Sequence, residues 1–380
     1  MLEEQLSLVD RITQKNNEID KSSHDLKHRK SRYSNMREML DDEYRESYIE
    51  VDTTKMDNKK SDFNYVDIFA GAGGLSLGIK QAGFNKICDV EILPFAHETL
   101  KYNFPEAEHY NGDISEFNVK EYVGEKKIHL VVGGPPCQGF SVAGKRKPDD
   151  QRNFLFNEYL RVVKETNPYF FVLENVPGII TLKEGEFYHS IVKGFNKLGY
   201  EVSVRILESA DYGVPQLRTR AIFIGNRLGI KNPYPKKIYE PKDYKTIDSA
   251  IKDLENTPRN AEINHEWTKH SKQMIERISQ VQPGSSLYET FSDSYKRQRV
   301  GHPSMTIKEN HGGTHIHYKL NRCISTREMA RIQTFPDDFI FKGTYKQGFI
   351  QVGNAVPPLL AKHIGLAIRN YIDKIEKNNR

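Results

Sequence analysis

From Asn64 onward, short apolar runs alternate with stretches whose apolar residues recur at helical spacing. The run YVDIFA (65–70) is followed by the glycine break GAGG (71–74) and then by the helical stretch LSLGIKQAG (75–83). Strands that alternate with helices predict a parallel sheet with crossover connections, whose ligands lie at the carboxyl ends of the strands. The predicted fold class is therefore α/β, with a doubly wound, mostly parallel sheet. The further predicted strands are 88–92, 129–134, 169–176 and 220–226, and a helix is predicted at 95–104.

Residues 1–60 have a different texture, because they are charged and polar and contain no proline. Apolar residues recur there every seven positions, which predicts a helical stripe. The neighbouring heptad positions are mostly polar, which disfavours a stable coiled coil. The favoured interpretation is a helical or partly disordered N-terminal extension; an arm for self-association or for the DNA backbone, which the basic run KHRKSR (27–32) would suit, stays open. The repeated positions are Ile12, Ile19, Leu26, Tyr33 and Leu40.

Between about residues 227 and 320 the alternation of strands and helices fades. This stretch is rich in Lys, Pro, Asn, His and Tyr and contains the single tryptophan, Trp267. Polar and aromatic loops on a small scaffold suit recognition better than chemistry. The following segment, 325–339, predicts a capped helix with Ser325 or Thr326 as its N-cap. The chain is thus divided into an extension (1–60), a main α/β domain (61–226 and 345–380) and a smaller recognition domain (227–344).

Composition narrows the class of protein only a little. The 380 residues include 56 Lys and Arg against 51 Asp and Glu, a net charge of +5 that permits binding to nucleic acid without indicating it. Cys88, Cys137 and Cys323 stand at unrelated spacings, which indicates a reducing compartment and neither a disulfide framework nor a metal site. No apolar run is long enough for a membrane span, and the charged N-terminus does not resemble a signal peptide. We therefore expect a cytoplasmic protein without a membrane segment or a bound metal.

Two carboxylates follow the glycine break and suggest that it belongs to a ligand site. A lone glycine turn is usually structural, and here the G-x-G-x-x-G spacing is not met. Glu91 closes the second strand, where a carboxylate can accept the hydroxyls of a ribose, and Asp113 follows the next short segment, where it could accept from an adenine amino group. Each acid alone is more commonly a solvated loop residue, but together they predict an adenosine pocket. The absence of G-x-x-x-x-G-K-[ST] argues against ATP.

The segment VVGGPPCQGFS (131–141) presents a cysteine after a strand, on a backbone fixed by two glycines and two prolines. A lone cysteine is usually a small buried apolar residue, which is our interpretation of Cys88 and Cys323. For Cys137 we expect a reactive thiolate, because a rigid turn presents it and the basic loop GKRKPDDQR (144–152) follows it.

Further charged residues stand at the ends of later strands. FVLENV (171–176) places Glu174 at the end of an apolar strand, where a partly desolvated carboxylate suits a proton-sharing role. QLRTR (216–220) puts Arg218 and Arg220 on one face of an extended segment, since side chains alternate along a strand. Two such arginines could form a solvated edge, or could grip a carbonyl oxygen and a phosphate.

In this order, the motifs resemble the complete series of the C5-cytosine-specific DNA methyltransferases, of the prokaryotic restriction–modification type. The resemblance covers about residues 64–226 and 320–370, and the ordered set makes chance agreement negligible. It implies the fold of S-adenosylmethionine-dependent methyltransferases, with residues 227–344 as a target-recognition domain. The motifs are FAGAGG, Glu91, GDI, GGPPCQGFS, ENV, QLRTR, TREMARIQTFPDDF and QVGNAVPP.

The resemblance also implies roles for individual residues. Cys137 would be the nucleophile, Glu174 the acid at the N3 edge of cytosine, and Arg220 a donor to O2 of the base. Arg218 would support a phosphate and the catalytic loop. The cofactor S-adenosylmethionine would be bound by Phe69, Ala72, Gly74, Glu91, Ile92, Asp113, Ile114, Pro136, Leu155, Asn354 and Val356. DNA contacts are expected from Gln138, Ser141, Lys145, Arg146, Lys147 and Arg152.

The implied activity is methyl transfer to carbon 5 of a flipped-out cytosine in a short specific sequence of double-stranded DNA. Such an enzyme would protect DNA in a restriction–modification system, with a cognate restriction endonuclease as partner but without a stable complex. A tRNA cytosine-5 methyltransferase of the same family is the first alternative, disfavoured because the Cys-Phe-Thr signature expected of it is absent. A binding module without catalysis is disfavoured by the intact Cys137, Glu174 and arginines. An NAD-dependent dehydrogenase has no use for GPPCQGFS.

Overall fold

The computed structural model describes residues 26–136, 148–288, 294–309 and 315–378, and only the backbone of 26–32, 148–153 and 378. Its strands are β1 (Tyr48–Val51), β2 (Asn64–Ile68), β3 (Asn85–Glu91), β4 (Glu108–Asn111), β5 (Leu130–Gly133), β6 (Phe170–Asn175), β7 (Glu201–Glu208), β8 (Thr219–Asn226), β9 (Asn232–Pro235), β10 (Lys296–Arg297) and β11 (His315–Ile316). Its α-helices are α1 (Leu26–Glu43), α2 (Gly74–Gln81), α3 (Pro94–Asn103), α4 (Val119–Val123), α5 (Pro148–Thr166), α6 (Glu186–Lys197), α7 (Ile247–Ile251), α8 (Lys272–Ser279), α9 (Thr326–Ile332), α10 (Tyr345–Asn354) and α11 (Pro358–Asn378). No helix among these described residues has the length and apolarity needed to cross a membrane.

Seven strands form one sheet in the order β4-β3-β2-β5-β6-β8-β7. Strand β8 is antiparallel to both of its neighbours, and the other adjacent pairs are parallel. The predicted α/β class with a mostly parallel sheet is therefore confirmed. The predicted strands correspond to β2, β3, β5, β6 and β8, whereas β4 and β7 lie where the sequence pattern predicted no strand.

Helices cover both faces of the sheet, because successive side chains along a strand point to opposite faces. On one face, Ile79 of α2 and Ile364 of α11 share a core with Val172 of β6. On the other face, Phe195 of α6 stacks on Phe171 of β6, with ring centroids 3.7 Å apart. The doubly wound arrangement thus follows from strands that are apolar on both sides.

The described part of the N-terminal extension covers the β7 edge of the sheet. Helix α1 lies against β7 and buries Met36 and Leu40, while β1 pairs in parallel with β9. The buried guanidinium of Arg205 on β7 bonds Asp41 and Glu50, each at 2.8 Å. This edge is therefore covered by packing and ion pairs, which protects its unpaired backbone groups. The predicted helical positions Ile12 and Ile19 lie outside the described residues.

The region between β9 and α10 joins the sheet through a third core. Ile307, Phe335 and Phe349 pack there with Leu100 and Phe104, at and just beyond the end of α3. Helix α9 begins after Ser325, whose side chain accepts from the Glu328 N–H while Glu328 accepts from the Ser325 N–H. The predicted capped helix is confirmed, with Ser325 rather than Thr326 as the N-cap.

Between α8 and α9, a buried arginine organises a separate small cluster. The apolar cluster there is small, consisting of buried Ile278, Val281 and Ile316 with a few partly buried neighbours. Arg297 is also buried, and its guanidinium donates to backbone carbonyls and one side-chain amide oxygen around it. Those acceptors are Val281 O at 2.7 Å, Ile278 O at 2.8 Å, Asn321 Oδ1 at 2.9 Å, His317 O at 3.1 Å and Leu320 O at 3.2 Å. Arg297 is therefore a scaffold residue.

Helix α2 crosses α11 at Gly78, where a Cβ atom would overlap the Pro358 carbonyl oxygen and the Ala361 side chain. We expect Gly78→Val to lower the free energy of unfolding by about 1–3 kcal/mol, because overpacking forces the two helices apart. Thermal unfolding measures the difference. The matched control is Gly178→Val, because a Cβ at Gly178 meets no atom within 4 Å. Equal unfolding midpoints for Gly78→Val and the parent protein would contradict this account of the helix contact.

Candidate active site

The carboxyl ends of β2, β3, β5 and β6 open into one cavity of 610 Å³, which the segment between α10 and α11 also lines. A cavity of this size suits a small-molecule ligand. Glu174, Arg218 and Arg220 line it, so three of the four predicted catalytic residues lie together. Ten of the eleven predicted cofactor residues line it as well, namely Phe69, Gly74, Glu91, Ile92, Asp113, Ile114, Pro136, Leu155, Asn354 and Val356.

Glu91 is held in place by backbone donors on either side of it. The Gly71 N–H donates to Oε2 at 2.7 Å and the Leu93 N–H to Oε1 at 2.8 Å. Burial raises the pKa of the Glu91 carboxyl, and these two hydrogen bonds act in the opposite direction. A carboxylate oxygen can accept two hydrogen bonds, so each Glu91 oxygen can accept one more from a ligand. This geometry suits a pair of adjacent hydroxyls.

An apolar side chain and a second carboxylate stand beside Glu91. Ile92 is 61% exposed, which is unusual for a residue of its size and leaves a flat apolar surface against which a ring can stack. Asp113 uses one oxygen, Oδ1, to accept from the N–H and hydroxyl of Ser115, each at 2.9 Å. These bonds hold the Asp113 side chain at the start of a short 3-10 turn (Ile114–Glu116).

The glycine turn after β2 is in direct contact with the C-terminal segment. Phe69 has a φ of 60°, an uncommon conformation for a bulky side chain, and begins this turn. A Cβ atom at Gly74 would overlap the Val356 carbonyl oxygen, so glycine is required for the close approach. Ala72 is buried in the third core and does not line the cavity. A direct contact between Ala72 and the cofactor stays a prediction.

Glu174 and Arg220 form an ion pair at the far end of the cavity. Glu174 is the next-to-last residue of β6 and pairs with Ile222 of the antiparallel strand β8, and the Arg220 Nε–Glu174 Oε1 distance is 2.7 Å. Each side chain retains about a tenth of its exposure. The pair thus combines a carboxylate and a guanidinium at a partly desolvated position, where hydrogen bonds to the edge of a planar base are strong.

Arg218 is positioned differently from the solvated or phosphate-binding arginine considered above. Its side chain is buried, with Nη1 donating to the Ile307 carbonyl at 2.7 Å and Nη2 to the Gly353 carbonyl at 3.0 Å. These bonds direct the guanidinium at the protein backbone. Arg218 therefore links two segments of the chain.

Two further residues of the site were not singled out in the sequence. Asn175 donates from Nδ2 to the Pro135 carbonyl at 2.9 Å, which holds the turn that precedes Cys137. Asp67 lines the cavity, accepts from Ser76 Oγ at 2.5 Å, and burial raises its pKa to about 7. The signal for Asp67 was a lone acid inside an apolar strand, and for Asn175 its place next to Glu174.

The predicted nucleophile and most predicted DNA contacts fall in a range that is not described. Pro136 is the last described residue before it, and α5 begins at Pro148. Arg152 lies in α5, where only its backbone is described. Outside the described residues lie Cys137, Gln138, Ser141, Lys145, Arg146 and Lys147.

Comparison with known proteins relates this geometry to an activity. Residues 63–370 match the family described as C-5 cytosine-specific DNA methylase, which is well over half of the chain. The chain belongs to this family. The enzyme is therefore a DNA (cytosine-5-)-methyltransferase, as the motif order implied, and the tRNA methyltransferase, binding-module and dehydrogenase alternatives are not supported.

Individual relatives agree with this assignment. The Type II methyltransferase M1.HphI of Haemophilus parahaemolyticus is 41% identical over 322 residues, covering 80% of this chain and 86% of that protein. The Type II methyltransferase M.DdeI of Desulfomicrobium norvegicum is 32% identical over 378 aligned positions, covering 83% and 91%. A crystal structure of a prophage-encoded Escherichia coli protein, described as a DNA modification methyltransferase, has a TM-score of 0.69 at 29% identity over 82% and 99% of the two chains. The Dnmt2 structure from S. pombe, at 18% identity and a TM-score of 0.56 over 81% and 99%, shows the shared fold alone.

The ion pair at the far end of the cavity gives a direct test of this DNA methyltransferase. We expect Glu174→Gln to fold and to bind DNA within about threefold of the parent enzyme, but to lose roughly 100- to 10,000-fold in methyl transfer, as loss of a positioned acid does. Incorporation of labelled methyl into duplex DNA measures the rate. The control is Glu201→Gln, an exposed glutamate at the opposite end of the sheet. A Glu174→Gln enzyme with near-parent activity would remove Glu174 from the chemistry.

Proposed function

We propose that the enzyme transfers the methyl group of S-adenosylmethionine to carbon 5 of a cytosine flipped out of a short specific sequence in double-stranded DNA. The observation that carries the proposal is the single cavity, which connects Glu91 at one end with the Glu174–Arg220 pair at the other. One end thus offers partners for a nucleoside, and the other offers partners for the edge of a base. Both reactants could therefore meet inside one cavity.

The residues at the first end fit S-adenosylmethionine. Glu91 would accept both ribose hydroxyls, Ile92 would lie against the adenine ring, and Asp113 would accept from the adenine amino group. Asn354 and Val356, from the C-terminal segment, would cover the same ligand. Bound there, S-adenosylmethionine supplies a methyl group activated by a sulfonium centre.

The residues at the other end would make carbon 5 of cytosine reactive. The Cys137 thiolate would add to carbon 6 of the base while Glu174 protonates or hydrogen-bonds N3, which leaves carbon 5 enamine-like. Arg220 would hold both Glu174 and O2 of the base. Carbon 5 would then take the methyl group from the sulfonium, which would leave as a neutral thioether. Solvent would take the proton from carbon 5 as the bond between carbon 6 and sulfur breaks, which would release Cys137 as thiolate and return the N3 proton to Glu174. Asn175, bonded to Pro135, would keep the turn before the nucleophile in place.

The target atoms are unreachable inside a stacked duplex, so the base must leave the helix at a cost of a few kcal/mol. Contacts to the DNA backbone would offset this cost. Residues 227–344 would read the target sequence as a recognition domain. The expected contacts follow the cysteine in the sequence and are Gln138, Ser141, Lys145, Arg146, Lys147 and Arg152, the last of which lies in α5 and not in the loop that the sequence pattern predicted.

We propose a role in a type II restriction–modification system, since relatives that cover most of this chain are named Type II methyltransferases. The enzyme would then work in the cytoplasm of a bacterium and protect DNA from a cognate restriction endonuclease, without a stable complex with it. Bisulfite sequencing of DNA from cells that express the enzyme would identify the protected sequence.

The cofactor assignment is tested at Glu91. We expect Glu91→Gln to weaken binding of S-adenosylmethionine by about 10- to 100-fold, because a hydrogen bond to a charged group contributes about 1.5–3 kcal/mol and each 1.4 kcal/mol is tenfold in affinity. Titration calorimetry measures the affinity. Glu108→Gln, an exposed glutamate on the neighbouring strand β4, is the control. Equal affinities for the Glu91 variant and the parent enzyme would place the nucleoside elsewhere.

The chemistry is tested at Cys137. We expect the parent enzyme to label duplex DNA and not tRNA, and Cys137→Ser to abolish turnover, because a serine hydroxyl is far less ionised than a thiol at neutral pH. Duplex DNA that carries 5-fluorocytosine should trap a covalent adduct with the parent enzyme and not with Cys137→Ser. The control is Cys88→Ala, since Cys88 lies buried in the core of the sheet and should leave turnover intact. Robust turnover by the serine variant, or an adduct that maps to another residue, would refute the mechanism.

A further inference from the structure

The recognition region is bonded to the very segment that carries the arginines of the active site. The backbone before β8 forms one parallel bridge with the segment that begins at Ser304, with Gln216 opposite Ser304. The Ser304 N–H donates to the Pro215 carbonyl at 2.9 Å, and the Leu217 N–H donates to the Ser304 carbonyl at 2.8 Å. A displacement of residues 304–309 would therefore be transmitted to the start of β8.

Two buried glutamines extend this connection to the end of α10. The Ile307 N–H donates to Gln216 Oε1 at 2.7 Å, and Gln216 Nε2 donates to Gln333 Oε1 at 2.8 Å. Gln333 Nε2 in turn donates to the Val352 carbonyl at 2.9 Å. Both glutamines are fully buried. Because backbone groups terminate the series at both ends, each side-chain amide has one permitted orientation.

Arg218 also bonds Ile307, at its carbonyl group. The backbone N–H of Ile307 is bonded by Gln216 and its carbonyl by Arg218, whose second amino group bonds the Gly353 carbonyl. Glu309, two residues beyond Ile307, lines the cavity, as does Asn354 beside Gly353. The segment 304–309 and the segment 352–355 are therefore fixed to each other through polar side chains.

We propose that Gln216 and Gln333 are positioning residues, which align the Glu174–Arg220 pair and the segment 352–355 when residues 304–309 settle on the target sequence. The inference rests on the proposed function and adds to it a route from recognition to chemistry. A buried amide that loses its partner costs free energy, so this network resists stretching and passes a displacement on. A correct sequence would then be read twice, once as affinity and once as reaction rate.

The experiment removes the two amides from the full-length enzyme without changing the volume of the side chains much. The variants are Gln216→Met, Gln333→Met and the double variant. In the double variant both amides are replaced, so that neither glutamine is left facing a methionine. The matched control is Gln351→Met. Gln351 is equally buried, but it bonds Thr99 Oγ1 at 2.6 Å and the Lys342 carbonyl at 2.8 Å instead of the recognition segment.

Three measurements are made on long unmodified duplex DNA with S-adenosylmethionine. They are the dissociation constant for DNA, the single-turnover rate of methyl transfer at saturating DNA, and the ratio of methylation at target sites to that at sites with one mismatch, read by bisulfite sequencing. We expect a fall of about 10- to 100-fold in the single-turnover rate, since a small misplacement of reacting groups costs up to about 100-fold. The dissociation constant should change by less than about threefold, and the target-to-mismatch ratio should fall with the rate.

The two single variants and the double variant should lose the same factor, because residues that act as one unit are not additive. The inference is overturned if Gln216→Met keeps the parent rate, if Gln351→Met loses as much rate as the Gln216 and Gln333 variants do, or if methylation falls equally at target and mismatched sites. A parent enzyme that leaves DNA unmethylated would refute the proposed function itself, which is a separate and visible result.

Discussion

A buried guanidinium ties together the three parts of the chain that must meet for this site to exist. Arg218 precedes β8, and its guanidinium donates to the carbonyl of Ile307, in the segment 304–309, and to the carbonyl of Gly353, near the end of α10. A buried cation requires such partners, because its desolvation is costly when its donors are unpaired. The cavity therefore depends on contacts between residues that are far apart in sequence. A catalytic domain formed without either partner segment would leave this charge without its acceptors.

The strands and the order of the motifs could be predicted from local patterns, but the edge of the sheet could not. Val202, Val204 and Ile206 alternate with Ser203 and Arg205 in β7, a pattern typical of a half-exposed strand. The structure buries both faces, because α1 and β9 cover the polar side and two carboxylates neutralise the arginine. That burial is set by residues more than 150 positions away along the chain. The sequence of β7 alone therefore cannot predict that its polar face is buried.

The candidate site shows the same division. Glu91 and Glu174 could be recognised because each ends an apolar strand, where the parallel fold collects ligands. Gln216, Gln333 and Asn175 could not be assigned roles, because the two glutamines bond each other across 117 positions and the remaining partners are backbone groups of distant segments, which carry no residue-type signal. Chemistry-bearing side chains are thus visible in a sequence, whereas the polar groups that position them become visible only in the fold.

The central sheet and the region around β10 and β11 are stabilised in different ways. The sheet is buried between two large apolar cores, so its strand ends are rigid enough to align a carboxylate with a base. The region around β10 and β11 has a small core and relies on the directional bonds of Arg297. Because those bonds go mainly to backbone carbonyls, the side chains of the surrounding loops can change without loss of the scaffold. Variation in these loops is therefore compatible with an unchanged site, provided that the link at Ile307 is kept.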